Sequence, residues 1–394
     1  MDALTDFFPT LLVAVGLLLA ALAGAPLAAR LGLPGPAAFL AVGIAAGLSG
    51  LAPTEELSAL SLQQIGVVAL YAILFQGGLE TGFARWRRSA SPILLLGLPG
   101  TAATAVALAA AGHYLIGLSW GVAVLVGIAL APTDPAAVYA VLRGQRGGAR
   151  PRTILEGEAG FNDPVGISLM VVAVAWLGPE GSSIGEAAVR LVQELGIGVA
   201  GGIVGAVVLR CVIRATPRLE QGFQSVAVVL GAIGVGAATA SLHGSGFLAV
   251  YLAGLLTADA WAQQDGRHHA VPQAFAAASE AMLFALLGAA FAPVVAASDI
   301  WQGIALAALL ALAVRPVVVT VSLSRSRLRR SERTLVSWGG LKGAVPLLLA
   351  GYPALEALDG SASVQAAVLV ATTASILLQG ATLPVVARWA RQAG

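Results

Sequence analysis

I-A-L-A-P-T-D-P-A-A-V-Y-A-V-L (residues 128–142), R-G-Q-R-G-G-A-R-P-R (143–152) and T-I-L-E-G-E-A-G-F-N-D-P-V-G-I-S-L (153–169) form two apolar segments joined by a basic loop. Four acids, Asp134, Glu156, Glu158 and Asp163, lie inside these segments or at their edges. Ionisable side chains within hydrocarbon are costly and mark a functional site by default. The rest of the chain has to explain how they are kept there.

Of the 394 residues, 58% are hydrophobic and 11% charged, against about 25% charged in ordinary soluble proteins. This is an all-α polytopic membrane protein. A spanning helix needs roughly 20 mostly apolar residues, and pacing the sequence gives thirteen transmembrane helices. They run approximately 7–29, 34–51, 60–79, 90–112, 119–142, 153–177, 184–210, 222–241, 244–262, 273–293, 300–324, 333–355 and 362–387. No loop between them is long enough for a soluble domain, and no cytoplasmic regulatory domain is expected after the last span. The N-terminus lacks a basic n-region and leads into a full-length span, so a retained helix is expected, not a cleaved signal.

Basic residues collect in every second loop, as in Arg85, Arg87, Arg88, then Arg143, Arg146, Arg150, Arg152, then Arg325, Arg327, Arg329, Arg330, Arg333. Alternate loops carry acids such as Glu55, Glu56, Glu180 and Asp359. By the positive-inside rule the N-terminus is outside and the C-terminus cytoplasmic, in the cell (inner) membrane. The net charge of +2 follows from this sorting and implies no nucleic-acid partner; the bilayer is the surrounding partner. Cys211 is the only cysteine, which rules out a disulfide within the chain and reads as inert packing.

Asp134 is about nine residues from Arg143, and Asp163 about eleven from Arg152 on the oppositely running helix, so both lie roughly 13 to 17 Å deep, near mid-membrane. The fifth span is interrupted by Pro132, Thr133, Asp134 and Pro135, which breaks the hydrogen-bond ladder. Unwound backbone at that depth is tolerated where it is buried in protein or lines a cavity. Seven spans later comes S-W-G-G-L-K-G-A-V-P (337–346), with Gly339, Gly340, Gly343 and Pro346 around Lys342. A shift of seven reverses direction, which makes the two segments counterparts in an inverted repeat. Such paired interruptions point to a transporter's substrate site.

Half-helix ends carry partial charges. Asp134 is placed to neutralise exposed N–H groups, and Asn162 both donates and accepts. Lys342 offsets the opposing ends or pairs with an acid, and Glu158 is available as that acid. Asp163 is left as the carboxylate without a fixed cation, which suits a group that exchanges a proton for a metal cation. Arg315 and Glu280 fall near mid-depth, where a structural salt bridge between the two or with neighbours is expected. Glu80, at the cytoplasmic end of the third span, either lines an entry funnel or snorkels to the interface. Glu156 reads as interfacial and Glu194 has no assignment. His268 and His269 read as an exposed loop, and His243 beside G-S-G-F as a loop end.

T-D-P (133–135), G-E-A-G-F-N-D-P-V (157–165), S-E-A-M-L-F-A-L-L-G (279–288) and W-G-G-L-K-G-A-V-P (338–346) together resemble monovalent cation:proton antiporters of family 1, the NhaP and NHE-like exchangers and their bacterial potassium/proton relatives. The resemblance covers essentially the whole chain. It implies the NhaA-like antiporter fold, an inverted repeat with two crossed discontinuous helices, and a homodimer working by alternating access. Each protomer would have a core (approximately 90–178 and 300–388), a dimerisation part (1–80 and 222–293) and a linker helix (184–210).

By resemblance, Asp163 carries Na⁺ or K⁺ and, alternately, H⁺. Thr133 helps ligate the ion, Asp134 and Asn162 stabilise the crossover, and Glu158 pairs with the basic residue of the twelfth span. That residue is usually arginine in the family and is Lys342 here; Ala159 stands where some relatives have a serine ligand. Asn before Asp implies electroneutral exchange, with no cofactor beyond the transported ions and a role in pH homeostasis. Two other readings stay open: cation-coupled uptake of an organic solute, and an intramembrane hydrolase using Asp134 and Asp163. The absence of G-x-x-x-x-G-K-[ST] disfavours an ATP-driven pump, and a passive channel would leave the titratable carboxylate without a purpose.

Overall fold

A computed structural model describes residues 2–52, 58–134, 149–178, 181, 183–216, 221–263, 270–326 and 328–392. The described residues are helical, with no strand among them. In hydrocarbon a backbone polar group has no water to bond, so helices that satisfy their own ladder are what such a sequence can form. Nine described helices are long and apolar enough to cross a membrane: α1 (Asp2–Arg30), α3 (Ala59–Thr81), α4 (Ala90–Ile116), α6 (Ala149–Leu177), α7 (Ile184–Ala215), α8 (Gln221–Ser241), α10 (Ala270–Phe291), α11 (Ala297–Ser322) and α14 (Ser361–Gln392). Shorter apolar helices are α2 (Gly35–Leu48), α5 (Trp120–Ala129), α9 (Gly246–Ala262) and α13 (Ala344–Leu355), and α12 (Arg330–Trp338) precedes α13.

The expected span 333–355 is two helices, because residues 339–343 leave the helical conformation. Three glycines in five positions remove helix propensity there. Pro346, which has no N–H to give to Lys342, falls in the first turn of α13, where a missing donor costs little. The expected span 119–142 is helical only to Ala129, with Leu130 closing the last turn. Residues 131–134 are non-helical, and 135–148 lie outside the described residues. By contrast α6 runs unbroken through Pro164.

Two π-helical turns matter for the site. One, Leu96–Gly100, contains Pro99, and the other, Leu310–Val314, stands immediately before Arg315 and Pro316. A widened turn accommodates a residue that offers no N–H to the ladder, and it re-aims the side chains that follow.

Small residues let the helices close. A Cβ on Gly43 of α2 would come 2.2 Å from the Ala285 carbonyl oxygen of α10, and one on Gly78 of α3 would come 2.4 Å from that of Tyr251 in α9. Backbones meet because nothing stands between them. At the centre lies α6, with 67% of its apolar window buried, against 11% for the peripheral α1.

Candidate functional site

The two interrupted segments meet. The Asp134 amide donates to the Leu341 carbonyl at 2.8 Å, a strand-like contact between residues two hundred positions apart. The Asp134 side chain rests on Gly343, the N-cap of α13, so closely that a Cβ there would be 2.4 Å from its Oδ2. A carboxylate at a helix N-terminus answers the positive end of the helix dipole. In the opposite sense, the buried Lys342 ammonium donates to the carbonyls of Pro132 (2.8 Å) and Ala131 (3.2 Å), just past the C-terminus of α5. Each break thus supplies the charge that the other's helix end needs.

Helix α14 pins the second break from behind. Ser375 Oγ accepts from the Lys342 amide at 3.2 Å and donates to Gln379 Oε1 at 2.6 Å, while Gln379 Nε2 donates to the Trp338 carbonyl at 3.1 Å. Two polar residues four apart in an apolar span are the signal of this clasp in the sequence.

Opposite the meeting point stands α6. Its Asn162 Nδ2 donates to Thr133 Oγ1 at 2.8 Å, tying α6 to the non-helical residues after α5. Asp163 is 3% exposed, and its Oδ1 is buried with no hydrogen-bond partner. Thr133, Asp134, Asp163, Tyr251, Glu280 and Gly343 are among the residues that line a narrow cavity with about 30 Å³ for the centres of water-sized species. One water needs about 10–15 Å³ on this measure, so the space fits a bare or nearly bare cation. An organic ligand needs a pocket of about 300 Å³ or more. Tyr251 forms a wall, its ring only 2.0 Å from where a Cβ on Gly160 would be.

One expected pair is corrected. Glu158 is not held by Lys342. It is fully buried and takes a two-pronged ion pair from Arg315, whose Nη2 reaches Oε2 at 2.7 Å while Nη1 meets Oε1. The π turn before Arg315 aims the guanidinium at α6, and Gly340 leaves it room, since a Cβ there would be 2.7 Å from Nε. Lys342 is meanwhile engaged by carbonyls.

Arg315 therefore has its expected salt bridge, but not with Glu280. Glu280 lines the cavity instead, and its Oε1 is buried without a hydrogen-bond partner. Glu156 is 8% exposed, paired with Arg152 at 2.7 Å, and it lines the cavity. Glu80 accepts from Gln76 Nε2 at 2.9 Å and is not among the lining residues. Ser245 of the G-S-G-F stretch is the N-cap of α9, its Oγ accepting from the Leu248 amide at 3.4 Å. His268 and His269 lie outside the described residues. Among the described residues no three His, Cys, Asp or Glu are grouped to hold one metal ion, so the acids of this cavity do not form a shared cage.

The sequence pattern that defines the family "Sodium/hydrogen exchanger, transmembrane" matches residues 17–389. The chain belongs to that family. Among its relatives in the family, the K⁺/H⁺ antiporter NhaP2 of Shewanella sp. (strain MR-4) is 33% identical over 99% of this chain and 68% of its own length. The Na⁺/H⁺ antiporter ApNhaP of Aphanothece halophytica is 28% identical over 83% of this chain and 64% of its own. The fold is that of the sodium proton antiporter MjNhaP1 from Methanocaldococcus jannaschii at pH 8, with a TM-score of 0.79 at 20% identity, covering 97% of this chain and 99% of that one. Membership in this exchanger family makes the chain a multi-pass membrane transporter and not an enzyme, which removes the aspartyl hydrolase reading.

Proposed function

We propose that this chain is a secondary active antiporter that exchanges a monovalent cation, Na⁺ or K⁺, for H⁺, with Asp163 as the shared carrier. The observation that carries the reading is the buried Asp163 oxygen without a hydrogen-bond partner, facing a space sized for an ion. Glu158 is neutralised by Arg315, and Asp134 sits against a helix N-terminus. Asp163 is thus free to bind either a proton or a cation. Thr133 lies within reach of the same cavity to contribute oxygen, and Asn162 holds that threonine in place.

One carboxylate that carries either ion moves the same charge both ways, so the exchange is electroneutral. The meeting of the two breaks reads as the crossing of two discontinuous helices in an inverted repeat of thirteen passes. The N-terminus is outside and the C-terminus cytoplasmic. In this reading a core of about residues 90–178 and 300–388 moves by alternating access against a dimerisation part of about 1–80 and 222–293, joined by the linker helix 184–210, in a homodimer. The narrow cavity speaks against an organic solute.

The test is cation-dependent proton movement in everted vesicles, comparing Na⁺ with K⁺. Exchange should be present for at least one and abolished in Asp163→Asn. Exchange that survived this substitution would remove Asp163 from the central role.

A further inference from the structure

A second cavity, sharing no lining residue with the carrier's, lies between α11, α12 and α14. It has a volume of about 640 Å³ and is lined by Leu312, Pro316, Arg330, Arg333, Trp338 and Val386, among others. Its composition is graded. Leu312 lies ten residues before the end of α11, so roughly 15 Å of groove separates it from the arginine-rich end. Around the apolar end the helices expose Leu312 (69%), Val317 and Val385 to their surroundings, as lipid-facing residues do.

At the other end stand Arg330, in the first turn of α12, and Arg333 one turn on. Among the described residues no acid lines this cavity. The nearby Glu332 is engaged elsewhere, its Oε2 accepting from the Arg329 amide at 2.8 Å. Arg333 uses one terminal nitrogen on the carbonyls of Ser326 (3.1 Å) and Ser324 (3.4 Å), and its Nε is buried without a partner. Two guanidinium groups, one of them held in place by backbone carbonyls, thus crown an apolar furrow bordered by exposed apolar side chains.

We infer that this groove binds an anionic phospholipid, with its phosphate on Arg330 and Arg333 and an acyl chain along Leu312, Pro316 and Val386. Charge complementarity selects the occupant. Planar guanidinium forks suit phosphate oxygens, and basic pockets between membrane helices at the arginine-rich face take anionic headgroups. A zwitterionic lipid would bring its own cation to two arginines, and free phosphate would leave the furrow uncovered. The site also has a route to the carrier: it rests on α12, which ends at Trp338 immediately before the break that holds Lys342. The inference is independent of which ion Asp163 carries.

The test uses the full chain purified in detergent. Its melting temperature is followed on adding phosphatidylglycerol, cardiolipin, phosphatidylcholine or inorganic phosphate. Both anionic lipids should raise it by several degrees, with phosphatidylcholine and phosphate having no effect. Arg330→Gln should lose at least half of that rise while melting normally in phosphatidylcholine, and Arg87→Gln, an exposed arginine outside the groove, should keep it. Should Arg330→Gln not fold, Thr334→Glu, which places an acid on an exposed turn of the rim, should show the same loss. An equal rise with phosphatidylcholine, a rise with phosphate alone, equal losses in Arg330→Gln and Arg87→Gln, or no loss in either rim variant would each overturn the assignment.

Discussion

Arg315 grips both carboxylate oxygens of Glu158 across 157 residues of sequence, within a bundle where neither side chain is more than 4% exposed. The pair fixes α11 to α6 at the level of the carrier, so the platform that bears Asn162 and Asp163 is held from its far side. A buried ion pair of this kind is costly to break singly, because the partner left behind is an uncompensated charge.

Arg315→Ala or Glu158→Ala should therefore each lower stability by about 3–5 kcal/mol, and Arg315→Lys should rescue little because an ammonium lacks the fork. The double variant Arg315→Ala/Glu158→Ala should be less damaged than the sum of the two. Thermal melting in detergent reads this double-mutant cycle. Coupling of Glu158 to Lys342 instead of Arg315 would contradict the geometry.

Lys342 has a different task, and a different loss is expected from it. Lys342→Met keeps the apolar stem but leaves the carbonyls of Ala131 and Pro132 without the donor they share. A buried acceptor left unsatisfied costs about 1–3 kcal/mol, so the variant should fold with reduced stability and lose most of its exchange rate. Normal transport in Lys342→Met would show that the two helix ends do not depend on this cation.

The two interrupted spans and the helical class were legible in the sequence, because hydropathy, proline and glycine act locally. Partner choice was not. Sequence spacing sets Glu158, Arg315 and Lys342 each within a span, and spacing alone could not say which cation faces the acid. Arg315 follows the π turn at 310–314 and reaches Glu158, and a widened turn leaves no clear mark in the sequence beyond the proline that follows. For Glu156 the distance from the loop is readable in the sequence, but not the burial that neighbouring helices impose on it.

Competition at one carboxylate has a pH signature. Protons and the cation contend for Asp163, so lowering the pH should raise the apparent KM for the cation, by up to tenfold per pH unit, and leave the maximal rate unchanged where external cation saturates. Initial rates from pH 6 to 9 check this. A KM independent of pH would require separate sites for the two ions.

Asn162→Asp would set a second ionisable group beside the first and replace the amide that donates to Thr133. Where both carboxylates carry protons in exchange for one cation, the exchange no longer balances charge. The steady-state cation gradient in liposomes should then respond to an imposed membrane potential, to which the wild type should be indifferent. A wild type that responded would overturn electroneutrality, and an unresponsive variant would leave Asp163 as the only carrier even with two acids present.

Gly343 offers the most local test of how the breaks fit together. A methyl group there would lie 2.4 Å from Asp134 Oδ2 and 2.5 Å from its Cβ and Cγ, closer than atoms can pack. Asp134 would have to leave the N-terminus of α13, and its amide contact with Leu341 would loosen with it. Gly343→Ala should therefore lose at least ten times in exchange rate. Gly234→Ala, in α8 where nothing lies within 4 Å of the new carbon, should keep full activity and gain up to about 1 kcal/mol from helix propensity. Active Gly343→Ala protein would mean that the carboxylate does not need this seat.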